Sequence, residues 1–181
     1  MNYKNLSDEK IVEEVIKNKE VFAEIIDRYR DKILRYIFYL VGNKKDAEDI
    51  AQEVFIKVYV NLLGFNKKLK FSSWLFRIAH NEAVNFLKKK KINLNFDERV
   101  YKIDSEKDIE EDFSKKEIEK TVKNCLTELP VIYREVVDLY YFENLSYEEI
   151  SDVLKVPAGT VAIRLSRAKK ILKNICQNQK I

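Results

Sequence analysis

Glycine and proline are nearly absent: the 181 residues hold three Gly and two Pro. Sheet-rich folds turn often and need such residues, so their scarcity excludes a sandwich or barrel and predicts long helices with few loops. Cysteine is equally sparse. Cys125 and Cys176 stand in no CxxC or Cys/His spacing, so neither a disulfide framework nor a zinc site is indicated, and both are expected as reduced thiols on helices. Uninterrupted apolar runs are missing too. A membrane span needs roughly 18 such residues, and even Ile33–Val41 is broken by Arg35. The first residues, MNYKNLSDEK, lack the apolar core of a signal peptide. A cytoplasmic protein with no membrane insertion is expected. The single histidine, His80, has no neighbour that makes it a catalytic base, and no catalytic residue, cofactor or metal is assigned.

Charge and apolar periodicity are what the chain does have. Hydrophobic residues make up 46% and charged residues 35%, the balance of a folded, mostly helical protein rather than a disordered one. The net charge of +4 is modest; its distribution carries more. Lys88–Lys91 is a purely basic run, residues 97–112 are strongly acidic, and residues 155–173 hold bases and no acid. Two basic zones flanking an acidic one predict two phosphate-facing surfaces joined by a connector kept off nucleic acid.

Helical spacing of apolar residues predicts a first lobe over residues 1–91. Ser7 caps a short helix. A second, about Lys19 to Val41, aligns Phe22, Ile25, Ile26, Tyr29, Ile33, Ile37 and Leu40. A third, about Lys44 to Leu62, aligns Ala47, Ile50, Ala51, Val54, Val58 and Leu62. The loop Gly64 to Lys70 leads to a fourth, with Trp74, Leu75, Ile78, Ala79, Ala83, Phe86 and Leu87. Residues 92–116 read as a flexible acidic linker. A second lobe, 117–181, is expected to hold helices at about 117–128, 130–142, 146–155 and 157–177. The fold class is therefore all-α: two helical domains with a linker between them.

The second lobe carries the strongest local signal, LSYEEISDVLKVPAGTVAIRLSRAKKIL from Leu145 to Leu172. Ser146 and Glu149 form a capping box that starts one helix, and Pro157 suits the first position of the next. Val161, Leu165, Ala168 and Leu172 recur at inward spacing. That leaves Ala158, Thr160, Ala162, Ile163, Arg164, Ser166, Arg167 and Lys170 for the outer sides. Small side chains there permit close approach to base edges, and the cations reach phosphate or guanine. A short helix, a tight turn and a basic second helix make a helix-turn-helix; the bland alternative is a helical hairpin with a solvated basic face.

The longer phrase LPVIYREVVDLYYFENLSYEEISDVLKVPAGTVAIRLSRAKKIL resembles the C-terminal domain of extracytoplasmic-function (ECF) sigma factors, small members of the main bacterial sigma family. DAEDIAQEVFIKVY (Asp46–Tyr59) followed by FSSWLFRIAHNEAVNFLKKKK (Phe71–Lys91) is similar to their N-terminal domain. The resemblance implies a chain that binds core RNA polymerase through Asp46, Asp49, Gln52 and Glu53, against the clamp helices of the largest subunit. It further implies melted minus-ten DNA on Lys67, Lys70, Phe71, Trp74, Arg77, His80, Asn81, Asn85 and Lys88. Double-stranded minus-thirty-five DNA falls to Arg134, Ser146, Tyr147 and the outward residues of the last helix. Many members are held inactive by an anti-sigma factor, a partner class the resemblance admits here. Two departures are visible. Lys155 stands where the family usually has Gly, a cost of ~1 kcal/mol if the backbone there is left-handed. Ala162 and Ile163 replace a usual cation and serine, which points to a different target sequence.

Independent chemistry partly supports these roles. Asp46, Asp49 and Glu53 recur three and four apart and form an acidic ridge suited to a basic partner; a solvated face or a metal site are the competing readings. Cations interleaved with aromatics between Lys67 and Lys91 are what single-strand capture needs, at ~1–3 kcal/mol per stacked base, although Trp74, Phe76 and Phe86 could equally be core. A stand-alone helix-turn-helix regulator and a nuclease using the carboxylates for metal remain as rival functions.

Overall fold

A computed structural model of the chain describes residues 3–67, 69–92 and 125–178. The expected acidic linker, and most of the helix expected at 117–128, lie outside those residues. Every regular element described is helical, as the shortage of glycine and proline predicts. Two compact units result, one built on Met1–Phe96 and the other on Asp97–Ser151 with Val156–Ile181.

In the first unit, helix α1 (Asp8–Lys17) starts at Ser7, whose hydroxyl accepts from the Lys10 N–H. Asp8 and Glu9 in its first turn and Lys17 in its last complement the helix dipole. A 3-10 turn, Lys19–Val21, feeds α2 (Phe22–Val41). That helix closes at Gly42, with φ 73° and its N–H on the Phe38 carbonyl; a side chain there would strain the left-handed turn. Helix α3 (Lys44–Asn61) is capped by Asn43, which accepts from the Asp46 N–H at 3.0 Å. Helix α4 (Phe71–Ile92) follows the loop.

The core of this unit follows the predicted stripes of α2 and α3; of the α4 stripe, Leu75, Ala79 and Ala83 are buried, whereas Trp74, Ile78, Phe86 and Leu87 are half-buried. Phe22, Ile25, Tyr29, Ile33, Ile37 and Leu40 of α2 are buried, and Ile26 is half-buried. Tyr36 and Tyr39 are buried as well, because α2 packs against both α3 and α4 and a single stripe cannot serve two neighbours. Ala47 and Ala51 let α3 approach closely. Each fully buried large apolar side chain contributes roughly 1.5–3 kcal/mol, and edge-on ring pairs such as Tyr29–Phe71 and Tyr36–Phe76 add to it. One polar knot ties the chain start to α2: Arg28 donates to the Tyr3 and Leu6 carbonyls and to Asp8 and Glu24, while the Tyr29 hydroxyl donates to Asp8.

The described part of the second unit begins with helical residues 125–128, followed by α5 (Val131–Val137), which continues as a π-helical turn over Asp138–Phe142. Helix α6 (Tyr147–Leu154) and α7 (Ala158–Asn178) complete it. The capping box is formed in both directions: Glu149 N–H donates to the Ser146 hydroxyl at 3.2 Å, and Ser146 N–H to the Glu149 carboxylate at 2.7 Å. Leu129, Leu139, Leu145, Ile150, Val153, Val161 and Leu165 form the core. Between α6 and α7, Lys155 has φ 55°, so the left-handed turn inferred from its glycine-like position is present and Lys bears its cost. The Ser151 hydroxyl donates to the Val156 carbonyl at 2.6 Å and tightens the same turn.

Candidate nucleic-acid and protein interfaces

Helix α3 turns Ala47, Ile50, Ala51, Val54 and Val58 inward, so geometry leaves the opposite side to Asp49, Gln52 and Glu53, and all three are exposed. Asp46 is different. It is half-buried and its carboxylate pairs with Lys90 of α4 at 2.9 Å. The acidic ridge is thus a free triad plus one acid already engaged. Sequence reasoning missed what continues the ridge: Ile56, Val60 and Leu63 are 56%, 69% and 80% exposed. Their spacing from Glu53 (three, then four, then three) was the available signal, since apolar residues outside the inward stripe have no core to fill. Helix α3 and its end therefore present an amphipathic outer face, acidic at one end and apolar at the other.

A second surface lies around the loop before α4. Phe65, Phe71 and Trp74 stack on one another, with ring centroids 5.2–5.8 Å apart. Phe71 is fully buried and Phe65 nearly so, which corrects the expectation that Phe71 touches DNA: its ring is the platform under the loop. Trp74, its ring tilted against both, is half-buried. Phe76, left open between core and DNA, is fully buried. Glu9 of α1 accepts the Phe71 N–H at 3.2 Å, capping α4 from another element, and Glu13 pairs with Lys67 at 3.1 Å. Neither acid was expected to matter to this loop. Lys67, Lys70, Asn81, Asn85 and Lys88 are exposed, whereas Arg77 and His80 are half-buried. His80 Nδ1 lies 3.0 Å from the Tyr36 hydroxyl, so part of its polarity is used internally.

The third surface is α7. Val161, Leu165 and Ala168 are buried, as their spacing predicts, while Leu172, expected inward with them, is half-buried. Ile163, Ser166, Arg167 and Lys170 are exposed, and Ala158, Thr160 and Ala162 half-exposed. Pro157 sits one residue before the helix, and its carbonyl accepts the Thr160 and Val161 N–H groups. Ser146 and Tyr147 are exposed at the start of α6, with Tyr147 stacked on Tyr140.

Arg134 requires correction as a DNA-contacting residue. It is 2% exposed, and its guanidinium donates to the carbonyls of Leu126, Thr127 and Leu129. Those carbonyls lie at the end of the helical turn whose described residues are 125–128; the Leu126 carbonyl also accepts the Leu129 N–H at 3.2 Å, and Arg134 supplies the side-chain cap. Arg134 is a capping group turned inward. Arg164 is also committed: it lies 3.0 Å from the Glu135 carboxylate beneath α7. Burial pushes the Glu135 carboxyl up to about 7, with the nearby Arg164 opposing that rise. Among the described residues no group of His, Cys, Asp and Glu could hold a metal ion, and no helix is long and apolar enough to cross a membrane.

Comparison with known proteins places these surfaces in a lineage. The model for Sigma-70 region 2 matches residues 25–92 and that for Sigma-70, region 4 matches residues 119–172. The ECF RNA polymerase sigma factor SigW of Bacillus subtilis is 37% identical over 166 residues, covering 86% of this chain and 89% of its own. The RNA polymerase sigma-H factor of Pseudomonas aeruginosa is 36% identical over 182 residues, covering 94% of each. The solved structure of the sigma factor RpoE with the anti-sigma factor NepR from Bartonella quintana aligns at TM-score 0.67 with 22% identity, over 88% of this chain and 98% of that one, a likeness of fold. With both conserved regions matched in order and relatives above one-third identity along nearly the whole length, the chain belongs to the ECF sigma factors of RNA polymerase.

Proposed function

We propose that this sigma factor docks on core RNA polymerase through the outer face of α3, reads melted minus-ten DNA at the start of α4 and double-stranded minus-thirty-five DNA with α7. The observation that carries the reading is the α3 face. Asp49, Gln52 and Glu53 stand exposed beside Ile56, Val60 and Leu63, and a mixed acidic and apolar ridge suits a partner helix with basic and apolar sides. A stand-alone regulator has no use for such a face.

In the minus-ten role, Lys67, Lys70 and Lys88 follow the backbone. Trp74 stacks on an unpaired base, and Asn81 and Asn85 offer amide groups to base edges. Phe65 and Phe71 hold that platform rigid from below. In the minus-thirty-five role, Thr160, Ala162 and Ile163 lie near the start of α7 for contact with base edges, while Arg167 and Lys170 reach phosphate. The exposed Ile163 suits a thymine methyl. The chain performs no chemistry of its own; nucleotidyl transfer belongs to the polymerase, and the working compartment is the cytoplasm, where polymerase is. An anti-sigma protein is a fitting regulator, because NepR binds a protein of this fold.

Reconstitution with core polymerase on templates carrying a fluorescent base in the minus-ten element tests the division of labour. Trp74→Ala and Asn81→Ala are expected to keep polymerase capture and lose base unstacking by about tenfold or more. Unchanged unstacking in both variants overturns the assignment of this surface.

A further inference from the structure

The two cysteines, far apart in sequence and without any motif spacing, meet in the second unit. Cys125 lies among the helical residues 125–128 that precede α5, and Cys176 lies in the last turns of α7. Both line one apolar pocket of about 460 Å³, together with Leu126, Val137, Tyr141 and Leu172. Both are free. The pair differs in access: Cys125 is 1% exposed, whereas Cys176 is half-buried and reaches the surface.

We propose that Cys125 and Cys176 are a peroxide-oxidisable pair that forms a reversible disulfide within this unit, tying the turn at residues 125–128 to the end of α7. The accessible Cys176 reacts first. Its thiolate attacks one peroxide oxygen, the O–O bond breaks, and the departing hydroxide takes a proton to become water, leaving Cys176 as a sulfenic acid. The Cys125 sulfur then attacks the Cys176 sulfur and displaces the hydroxyl, which leaves with the Cys125 proton as a second water. Two thiols and one hydrogen peroxide give one disulfide and two waters. A dithiol reductant reverses the bond by thiol–disulfide exchange.

Burial pushes the Cys125 thiol up to about 11, so it stays protonated and does not compete for peroxide. It is the resolving partner, shielded until a sulfenic acid forms beside it. Without it, a sulfenic acid on Cys176 faces further oxidation or coupling with another chain. The consequence for the fold is a cross-link over a long loop, which restrains the unfolded chain and fixes the seat of α7 against α5.

The test treats the full-length chain with stoichiometric hydrogen peroxide and maps peptides by mass spectrometry without reduction. The expected result is a Cys125–Cys176 linked peptide, loss of both free thiols, no disulfide-linked dimer and full reversal by dithiothreitol. The thermal midpoint of the second unit should rise by about 5 °C or more on oxidation, a shift absent from Cys176→Ser. Dimers through Cys176, or a Cys176 sulfinic acid with Cys125 still reduced, overturn the proposal. The peptide map on the unmutated chain keeps the test decisive if Cys125 variants fail to fold.

Discussion

At the scale of single residues, several positions are decided by burial rather than by residue type. Arg134 has the composition of a DNA contact and the location of a cap. Replacing it with Met removes three charge-assisted hydrogen bonds, two of them buried, and bonds to a charged group are worth ~1.5–3 kcal/mol each. Arg134→Met is therefore expected to destabilise the second unit by about 3 kcal/mol or more in denaturant melts, not to weaken DNA affinity selectively. Glu135 gives a pH signature. Its carboxyl ordinarily titrates near 4.5 and is raised to about 7 in the fold, so the folded state binds more protons than the unfolded state across that window. Stability of this unit should fall as pH rises from about 4.5 to about 7 and level off above. Glu135→Gln should flatten that slope while still accepting from Arg164; an unchanged slope places the titration elsewhere. Lys155, with φ 55°, offers the opposite sign. Lys155→Gly relieves ~1 kcal/mol of backbone strain and forfeits the exposed pair with Asp152, itself worth a few tenths. A net gain of roughly half a kcal/mol in chemical denaturation is expected.

At the scale of elements, helix positions were legible because period and caps agree. The Ser146–Glu149 box, the Asn43 and Gly42 boundary between α2 and α3, and the apolar stripe of α3 all stand where sequence puts them. Less legible was which side of an aromatic-rich helix meets the core. Phe71, Trp74 and Phe76 lie within two turns of α4, yet two are buried and one is half-buried. Periodicity cannot separate them, because Phe65 arrives from the loop and sets the depth of the cluster. Meetings of distant elements, such as Glu9 on the Phe71 N–H and the pocket that Cys125 and Cys176 both line, leave no trace in local spacing. The apolar half of the α3 face was visible as spacing and passed over, since exposed hydrophobics are individually ordinary. Its exposure yields a prediction: Ile56→Ser with Val60→Ser should change the thermal midpoint by only a degree or two, yet cut polymerase capture at least tenfold. A large loss of stability instead would mean these side chains serve the fold.

At the scale of the whole molecule, the proposed function gives each of two compact helical units a surface for a different state of DNA, and the first also carries the ridge on α3. The architecture follows from composition: few turn residues give long helices, and the apolar stripes of α2, α3 and α4 demand mutual burial. The departures at Ala162 and Ile163 alter the outer face of α7, the proposed reading helix, without altering its scaffold, since both lie outside the buried set of Val161, Leu165 and Ala168, while Lys155 changes the turn before it. Promoter preference can thus drift while the fold holds. The central claim is that the α3 ridge recruits core RNA polymerase. The most direct measurement is co-purification of the tagged chain with bacterial core polymerase, wild type against Asp49→Lys with Glu53→Lys. The account predicts one-to-one capture by wild type and loss of at least tenfold in the variant, with its helical content and melting unchanged. Capture that survives charge reversal, or no capture by wild type freed of any inhibitor, contradicts it.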